Sequence, residues 1–246
     1  MEVSIEGSQE RRGREDREDK IYRKDMMDKC GREDREDNLP ASNSDYSSPA
    51  YWDSRYSREP HYEWLLDYRA LAPALAPLLA RLGAEARILQ LGCGNSGLAL
   101  DLHTAGCTDV TNIDISGVCV ANMKVKHPEL TFLEMDMASM AFPDASFDLV
   151  VEKATVDSVL VDTSPWELTS PGHLLATRTL REVKRVLRPQ GTFLSITFAQ
   201  PHHRCSLRFT NLRSFPPGCL CSPSPASAGP WWWTRYPARA ACWIIT

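Results

Sequence analysis

Short apolar runs alternate with stretches of helical spacing over residues 67–198, and this alternation constrains the fold more than any other feature of the chain. The apolar runs predict strands at residues 88–91, 109–114, 130–135, 147–152 and 191–198. The helical spacing predicts helices at residues 67–82, 96–104, 116–126 and 174–187. Strands that alternate with helices in this way pair in parallel, with helices on both faces. The sequence therefore predicts an α/β fold built on a mostly parallel sheet.

Charge and composition divide the chain into three segments. Residues 1–50 hold 10 basic and 14 acidic residues, and the sequence GREDRED starts at Gly13 and again at Gly31. A segment with so few aliphatic residues cannot offset the entropy of ordering, which predicts a disordered tail. Residues 51–204 carry the α/β pattern and form the predicted domain. Residues 205–246 are rich in proline without lysine or acidic residues, which predicts a second, atypical disordered tail.

Net charge and cysteine spacing exclude several classes of function. Residues 51–200 hold 13 basic and 18 acidic residues without a basic patch, which argues against a nucleic-acid partner. No apolar run of about 18 residues exists that could span a membrane. The acidic N-terminal segment is unlike a secretory signal or a mitochondrial transit peptide, so we expect a cytoplasmic protein. The eight cysteines lack the paired spacing of a zinc site, so no metal is expected.

A glycine-rich turn follows the first predicted strand. Gly92, Gly94 and Gly97 lie in the sequence LGCGNSG, directly before a predicted helix. Glycines allow backbone N–H groups to approach a ligand closely, and the helix adds the positive end of its dipole. The same spacing serves a nicotinamide dinucleotide site, so the turn alone favours a methyltransferase and a dehydrogenase about equally. A turn that binds no ligand is the third interpretation.

Two acidic residues stand where the second and third predicted strands end. Asp114 ends the second strand, where a carboxylate can accept hydrogen bonds from both hydroxyls of a ribose. Asp136 follows the third strand, where it can accept a hydrogen bond from the exocyclic amine of an adenine while Met137 lies against the ring. A simple loop cap is the alternative role of Asp136. Together the two acids indicate a site for an adenosine.

The residues that follow resemble those of class I S-adenosylmethionine-dependent methyltransferases. FPDASFDLVV spans residues 142–151, and VLRPQGT spans residues 186–192. In this order, after the glycine turn and the two acids, these motifs resemble that class over residues 85–200. The resemblance implies a Rossmann-like fold and S-adenosylmethionine as the cofactor. A nicotinamide enzyme has no reason to show the same series of motifs, which disfavours a dehydrogenase.

Further motifs are similar to those of one narrower family. YWDSRY at residues 51–56, YEW at residues 62–64 and EKATVD at residues 152–157 resemble eukaryotic lysine methyltransferases that act on translation elongation factor 1-alpha. The similarity covers residues 50–203. It implies a protein-lysine N-methyltransferase whose partner is elongation factor 1-alpha. A catalytically silent isoform, and an enzyme for another protein or a small molecule, are the alternatives.

The resemblance also implies the residues that bind the cofactor. An aromatic lid would be formed by Trp52, Tyr56 and Trp64. Gly92 would line the glycine loop, Asp114 and Ile115 would bind and flank the ribose, Asp136 and Met137 would hold the adenine, and Lys153 would lie beside the methionine end. Without the resemblance, the two tryptophans would be interpreted as core residues and the lysine as a surface charge.

The sequence departs from this family at two places. Ala154 stands where relatives usually place glycine, and a positive φ there would strain an alanine. Beyond residue 204 nothing corresponds to the family's last helix and final antiparallel hairpin, which predicts a sheet with an exposed edge. No catalytic residue is assigned, because transfer to a neutral amine depends mainly on positioning. Glu152 and Asp157 are candidates for orienting the incoming ammonium group.

Overall fold

The computed structural model describes residue 40 and residues 42–161, 169–197 and 241–245, and for the last of these ranges the backbone alone. All described residues lie in the compact unit Pro40–Thr246. Within the predicted N-terminal tail, the structure describes a short 3-10 helix, Asn43–Ser47, with a capping box between Ser42 and Asp45. Residues 48–50 of that predicted tail are also described, and a further helix begins at Pro49, whereas residues 1–39 and 41 lie outside the described residues.

Five parallel strands and one antiparallel strand form a sheet in the order β3-β2-β1-β4-β5-β6. The strands are β1 (Arg87–Leu91), β2 (Asp109–Asp114), β3 (Thr131–Glu134), β4 (Phe147–Lys153), β5 (Leu187–Thr197) and β6 (Ala241–Ile245). The central strand β1 pairs with β2 on one side and with β4 on the other, so that Leu91 lies opposite both Ile113 and Glu152. The strand order therefore reverses between β1 and β4.

Helices precede the sheet or connect its strands. They are α1 (Pro49–Tyr56), α2 (Tyr68–Leu82), α3 (Leu98–Thr104), α4 (Gly117–Lys126), α5 (Thr155–Leu160) and α6 (Pro171–Val186). Polar side chains cap the N-termini of three helices. Asp67 accepts a hydrogen bond from a backbone N–H of α2, Ser116 accepts one from α4 and Ser170 accepts one from α6. These caps satisfy N–H groups that have no partner inside the helix.

The predicted α/β fold is confirmed, with differences at the ends of elements. Helix α6 begins at Pro171, earlier than predicted, because Ser170 caps it and proline fits its first turn. Strand β5 begins at Leu187, which pairs with Phe147 ahead of a bulge. Helix α5 was not predicted, since six residues are too few for the helical period to stand out.

Neighbouring strand residues pack on opposite faces of the sheet. Ile88 lies in a buried cluster with residues of α2 and α3, whereas Leu89 lies in a second cluster with residues of α6. Helix α2 packs through Leu71, Leu75 and Leu78 and carries its two internal prolines on the exposed side. Water can hydrogen-bond the carbonyl groups that lose a partner there, so the helix continues through both prolines.

Strand β5 is paired along part of the edge that the sequence predicted to be exposed. Its residues 193–197 pair antiparallel with β6, and Ile196 lies opposite Cys242. This pairing supplies main-chain partners that an edge strand would otherwise lack. Residues 198–240 lie outside the described residues, so the predicted atypical tail at residues 205–246 remains a prediction apart from β6.

Ala154 occupies a backbone conformation that favours glycine. It precedes α5 with φ of 63° and ψ of −2°, in the left-handed region. This observation confirms the positive φ considered from the sequence. The conformation costs a residue with a Cβ atom about 1 kcal/mol relative to glycine.

We expect Ala154→Gly to raise the free energy of unfolding by about 0.5–1 kcal/mol, because glycine adopts the left-handed region without a steric penalty. Chemical denaturation of the full chain measures this change. Ala121→Gly, at an exposed position of helix α4, is the matched control and should lower the free energy of unfolding by about 1 kcal/mol. A loss of stability in both variants would contradict strain at Ala154.

Candidate active site

The carboxyl ends of β1, β2 and β4 lie on the same side of the sheet, next to the point between β1 and β4 where the strand order reverses. The glycine loop follows β1, Asp114 ends β2 and Lys153 ends β4. Open parallel sheets bind their ligands at this position, because the loops on either side diverge and leave a crevice. The fold thus brings together residues that lie far apart in the sequence.

Both glycines at the start of the loop are required by conformation and by space. Gly92 and Gly94 each have a φ of 54°. A Cβ atom on Gly92 would lie 2.3 Å from Cγ2 of Thr155, and one on Gly94 would lie 2.9 Å from the hydroxyl oxygen of Tyr56. Larger residues would therefore displace the segments that close on the loop. This close packing explains the glycine spacing seen in the sequence.

The Asp114 side chain is buried and holds the glycine loop. Its carboxylate accepts hydrogen bonds from the backbone N–H of Gly94 at 2.8 Å and of Ser116 at 3.0 Å. Burial raises the pKa of Asp114, while backbone N–H groups of Ser116, Gly94 and Ile115 oppose that shift. A carboxylate has about four lone-pair sites. The backbone donors therefore do not use its full acceptor capacity, and a ligand hydroxyl can also donate to it.

The neighbouring site residues Ile115, Asp136 and Met137 lie at the adjoining strand ends. Met135 donates its N–H to the carbonyl of Asp114 at 2.9 Å, which joins the end of β2 to the loop after β3. Ile115 keeps 41% of its surface exposed, which is unusual for a large apolar side chain in this structure. Oδ1 of Asp136 accepts a hydrogen bond from Ala138 N–H at 2.8 Å, so the loop-cap role weighed from the sequence is present. Met137 packs against the core.

The three predicted lid residues lie together. Trp52 stacks on Tyr56 with ring centroids 5.6 Å apart and an interplanar angle of 22°. Trp64 meets Trp52 edge to face at 6.3 Å. The indole N–H of Trp52 donates to the carbonyl of Tyr46 at 2.8 Å, which satisfies the polar atom of the ring. These contacts form an aromatic cluster beside the glycine loop, which Tyr56 contacts directly.

A buried arginine supports this aromatic cluster. Arg55 is 1% exposed, and its guanidinium donates to the two carboxylate oxygens of Glu59 at 2.8 and 3.2 Å. A third donor reaches the hydroxyl of Tyr51 at 3.2 Å. The guanidinium carbon also lies 4.9 Å from the ring centroids of both Tyr62 and Trp64. Cation–π attraction therefore adds to the ion pair in fixing the position of Trp64.

Lys153 is buried beneath the segment that carries Trp64. Its Nζ donates to the Glu63 carboxylate and to the carbonyls of Trp64 at 3.0 Å and Leu66 at 3.1 Å. Burial lowers the pKa of Lys153 to about 7, whereas the Glu63 carboxylate favours the charged ammonium. With 6% of its surface exposed, Lys153 is not the surface charge that its sequence context alone would suggest.

Glu152 and Asp157, the two acids considered for orienting an incoming ammonium group, accept hydrogen bonds from neighbouring elements. Glu152 has no exposed surface, and its carboxylate accepts hydrogen bonds from Val156 N–H and from the Ser195 hydroxyl. Asp157 is 7% exposed and accepts a hydrogen bond from the Thr197 hydroxyl at 2.5 Å. These contacts join β4 and α5 to β5. They give both acids a role in packing next to the site.

Sequence reasoning assigned no role to Arg55, Glu63 or Asn95, although each lies in a motif that it used. Charged residues inside YWDSRY and YEW stand among aromatic residues, which is a sequence signal for a buried or stacked charge. Asn95 lies between Gly94 and Gly97 and was treated as part of the glycine turn. Their partners come from other elements, so only the folded chain shows what they bind.

Comparison with known proteins agrees with this geometry. Residues 89–195 match the family described as Methyltransferase domain. EEF1A lysine methyltransferase 4 of Bos taurus is 41% identical over 173 residues, which cover 68% of this chain and 67% of that protein. The eEF1A lysine and N-terminal methyltransferase of Homo sapiens is 37% identical over 170 residues, covering 67% of this chain and 23% of that protein.

The fold, the glycine loop and these matches define a class I methyltransferase. More narrowly, the chain belongs to the family of EEF1A lysine methyltransferase 4, with which it shares two thirds of its length. A solved structure of a SAM-dependent methyltransferase from Methanosarcina mazei aligns with 62% of this chain and 68% of its own, at a TM-score of 0.45 and 26% identity.

The residues present fit S-adenosylmethionine, the cofactor of this class. Asp114 offers acceptor capacity for ribose hydroxyls, and the exposed Ile115 beside it offers an apolar surface that could flank the ribose. The positive φ values of Gly92 and Gly94 let the backbone approach a ligand. Aromatic faces next to the loop suit a sulfonium cation. Among the described residues, no group of histidine, cysteine and acidic side chains could hold a metal ion.

We expect Arg55→Met to lower the free energy of unfolding by about 3 kcal/mol, because it leaves the buried Glu59 carboxylate without its cation and removes the support of Trp64. Urea denaturation of the full chain provides the measurement. Arg58→Met, three residues along at an exposed position, is the matched control and should stay within about 0.5 kcal/mol of the unaltered chain. Similar small effects of both substitutions would contradict a structural role for the Arg55 ion pair.

Proposed function

We propose that this chain transfers a methyl group from S-adenosylmethionine to a lysine of translation elongation factor 1-alpha. The observation that carries the proposal is the buried carboxylate of Asp114, hydrogen-bonded to the glycine loop beneath an aromatic cluster. The acceptor follows from the names of relatives that are up to 41% identical to this chain over 173 aligned residues. Protein-lysine methylation is the activity named for those relatives.

The adenosine half of the donor is held by the strand ends in this proposal. Asp114 accepts hydrogen bonds from the ribose hydroxyls, and Ile115 flanks the ribose. Asp136 accepts a hydrogen bond from the exocyclic amine of the adenine, and Met137 packs beside the ring. The backbone at Gly92 allows the ligand to lie close to the loop, since glycine carries no side chain.

The methionine half lies under the aromatic lid. S-adenosylmethionine supplies a methyl group on a positively charged sulfur, and the faces of Trp52, Tyr56 and Trp64 stabilise a cation by cation–π attraction. Lys153 lies next to this end of the site at the close of β4. The lid also excludes water from the crevice, which strengthens each electrostatic contact within it.

The acceptor lysine must be neutral to act as a nucleophile. An aromatic, water-poor opening disfavours the charged ammonium and so lowers the pKa of a lysine that enters it. Positioning and desolvation then supply most of the rate, so the proposal requires no dedicated general base. Glu152 and Asp157 form hydrogen bonds with β5 and pack behind the residues that line the opening.

We place the protein in the cytoplasm, because elongation factor 1-alpha, named as the substrate of its relatives, acts there in translation. Among the described residues no helix is long and apolar enough to cross a membrane. A protein is the proposed partner, and neither nucleic acid nor a membrane is required by the chemistry.

The proposal is tested by titrating the full chain with S-adenosylmethionine in a calorimeter and by incubating both with elongation factor 1-alpha before mass spectrometry. We expect saturable binding and a mass increase of one or more methyl groups on a lysine. Asp114→Ala should weaken binding at least about tenfold, since the ribose loses its charged acceptor. Asp109→Ala, at the exposed start of the same strand, is the matched control and should bind like the unaltered chain.

Each other outcome of that experiment contradicts a defined part of the proposal. Binding without methylation would favour the catalytically silent isoform. Methylation of a different protein would leave the enzyme class in place and reject elongation factor 1-alpha as acceptor. A folded chain that binds no donor would reject the methyltransferase activity itself.

Donor affinity should also depend on pH through Asp114. Only the ionised carboxylate accepts hydrogen bonds at both oxygens, and burial raises its pKa. We therefore expect donor affinity to fall on acidification at a pH above the ordinary aspartate value of 3.8. Asp114→Asn should bind weakly at every pH and lack this step. Calorimetric titrations over a pH series measure the dependence of donor affinity on pH. If Asp114→Asn kept the same fall in affinity on acidification, another group would be responsible for it.

A further inference from the structure

The side chain of Asn95 binds the backbone of the lid segment, residues 59–66, which carries Trp64. It is 5% exposed, its amide nitrogen donates to the carbonyl of Glu59 at 2.7 Å, and its amide oxygen accepts from Tyr62 N–H at 3.0 Å. The carbonyl of Asn95 also contacts the ring of His61 at 2.9 Å. Asn95, which follows Gly94 in the glycine loop, is therefore joined to the lid segment through both its amide nitrogen and its amide oxygen.

Glu63 forms a second connection between the same two segments. One carboxylate oxygen accepts from the Ser96 hydroxyl at 2.8 Å, and the other accepts from Gly97 N–H at 3.1 Å. The first oxygen also contacts Nζ of Lys153, which joins the lid segment to the end of β4. Six positions of the lid segment are thus bound by residues of the glycine loop or of β4: Glu59, His61, Tyr62, Glu63, Trp64 and Leu66.

The backbone next to Trp64 is held in a costly conformation. Leu65 has a φ of 63°, in the left-handed region, and Leu66 N–H donates to the carbonyl of Trp64 at 2.8 Å across it. A residue with a Cβ atom is sterically disfavoured in this region, so surrounding contacts must hold it there. Lys153 supplies such contacts, because it donates to the carbonyls on both sides of Leu65.

We propose that Asn95 and Glu63 are positioning residues that join the aromatic lid to the glycine loop. They affect donor affinity through the position of Trp64 and do not contact the donor. This inference rests on the proposed function, since it assumes that the lid covers the donor. Asn95 acts through two backbone hydrogen bonds, and Glu63 acts through the loop and Lys153. The loop that binds the donor and the lid that covers it then behave as one unit.

A double-mutant cycle tests whether Asn95 acts through the lid. The dissociation constant for S-adenosylhomocysteine is measured by calorimetry for the full chain, Asn95→Ala, Trp64→Ala and the combined variant. Asn95→Ala should weaken binding about tenfold when Trp64 is present, which corresponds to the loss of two hydrogen bonds that order the lid. In the Trp64→Ala background it should change binding less than about twofold, because the lid has lost the ring that Asn95 positions.

Glu63→Gln is the second variant, and it keeps the shape of the side chain while removing its charge. It should weaken binding about fivefold with Trp64 present and lose that effect in the Trp64→Ala background. Asn112→Ala is the matched control for the loss of a buried asparagine, since Asn112 is fully buried in β2 and donates to Thr131 at 3.0 Å, away from the lid. It should lower the thermal midpoint and leave the dissociation constant unchanged.

The outcomes separate this inference from the proposed function. Equal weakening by Asn95→Ala in both backgrounds would show a general structural effect and overturn the positioning role. Unchanged affinity in folded Asn95→Ala and Glu63→Gln would overturn it as well, while leaving the methyltransferase proposal in place. Absence of S-adenosylhomocysteine binding by the unaltered chain would overturn both.

Discussion

The hydrogen bonds from the glycine loop and from Ser116 to the buried carboxylate of Asp114 are the interactions on which the site depends. They hold the loop after β1 against the end of β2, at the one edge of the sheet where the strand order reverses. This close approach requires glycine at two loop positions, because Tyr56 and Thr155 occupy the space that side chains would need. The same contacts therefore determine the loop conformation and the position of Tyr56 in the aromatic cluster, and in the proposed function they determine where the ribose binds.

Two buried cations organise the region beside that loop. Arg55 pairs with Glu59 under the rings of Tyr62 and Trp64, and Lys153 lies under the turn that follows Trp64. Burying a charge is costly unless it is paired and hydrogen-bonded, and the geometry of each pair is therefore restricted. Such pairs contribute less to net stability than to a single arrangement of the groups around them. Here that arrangement fixes the position of Trp64 beside the other aromatic rings.

Much of the fold could be predicted because its elements have strong local signals. The apolar runs of β1, β2 and β4 and the periodicity of α2 and α4 place these elements within a few residues of their observed bounds. Helix α5 has no such signal at six residues, and the start of β5 depends on pairing with Phe147. The strand-end acid Asp114 was predictable from its place after a strand, whereas Arg55, Glu63 and Asn95 gain their roles from partners in other elements.

The sequence by itself determined the class of fold, the glycine turn, the acids at two strand ends and the aromatic residues ahead of the sheet. Each of these follows from local spacing or composition, which the chain carries whether or not it is folded. The tertiary structure alone decided that Lys153 is buried, that Ala154 and Leu65 adopt positive φ, and that Asn95 and Glu63 join the lid segment to the glycine loop. The physical reason is that burial, backbone strain and hydrogen-bond partners depend on segments that are distant in sequence and meet only when the sheet assembles.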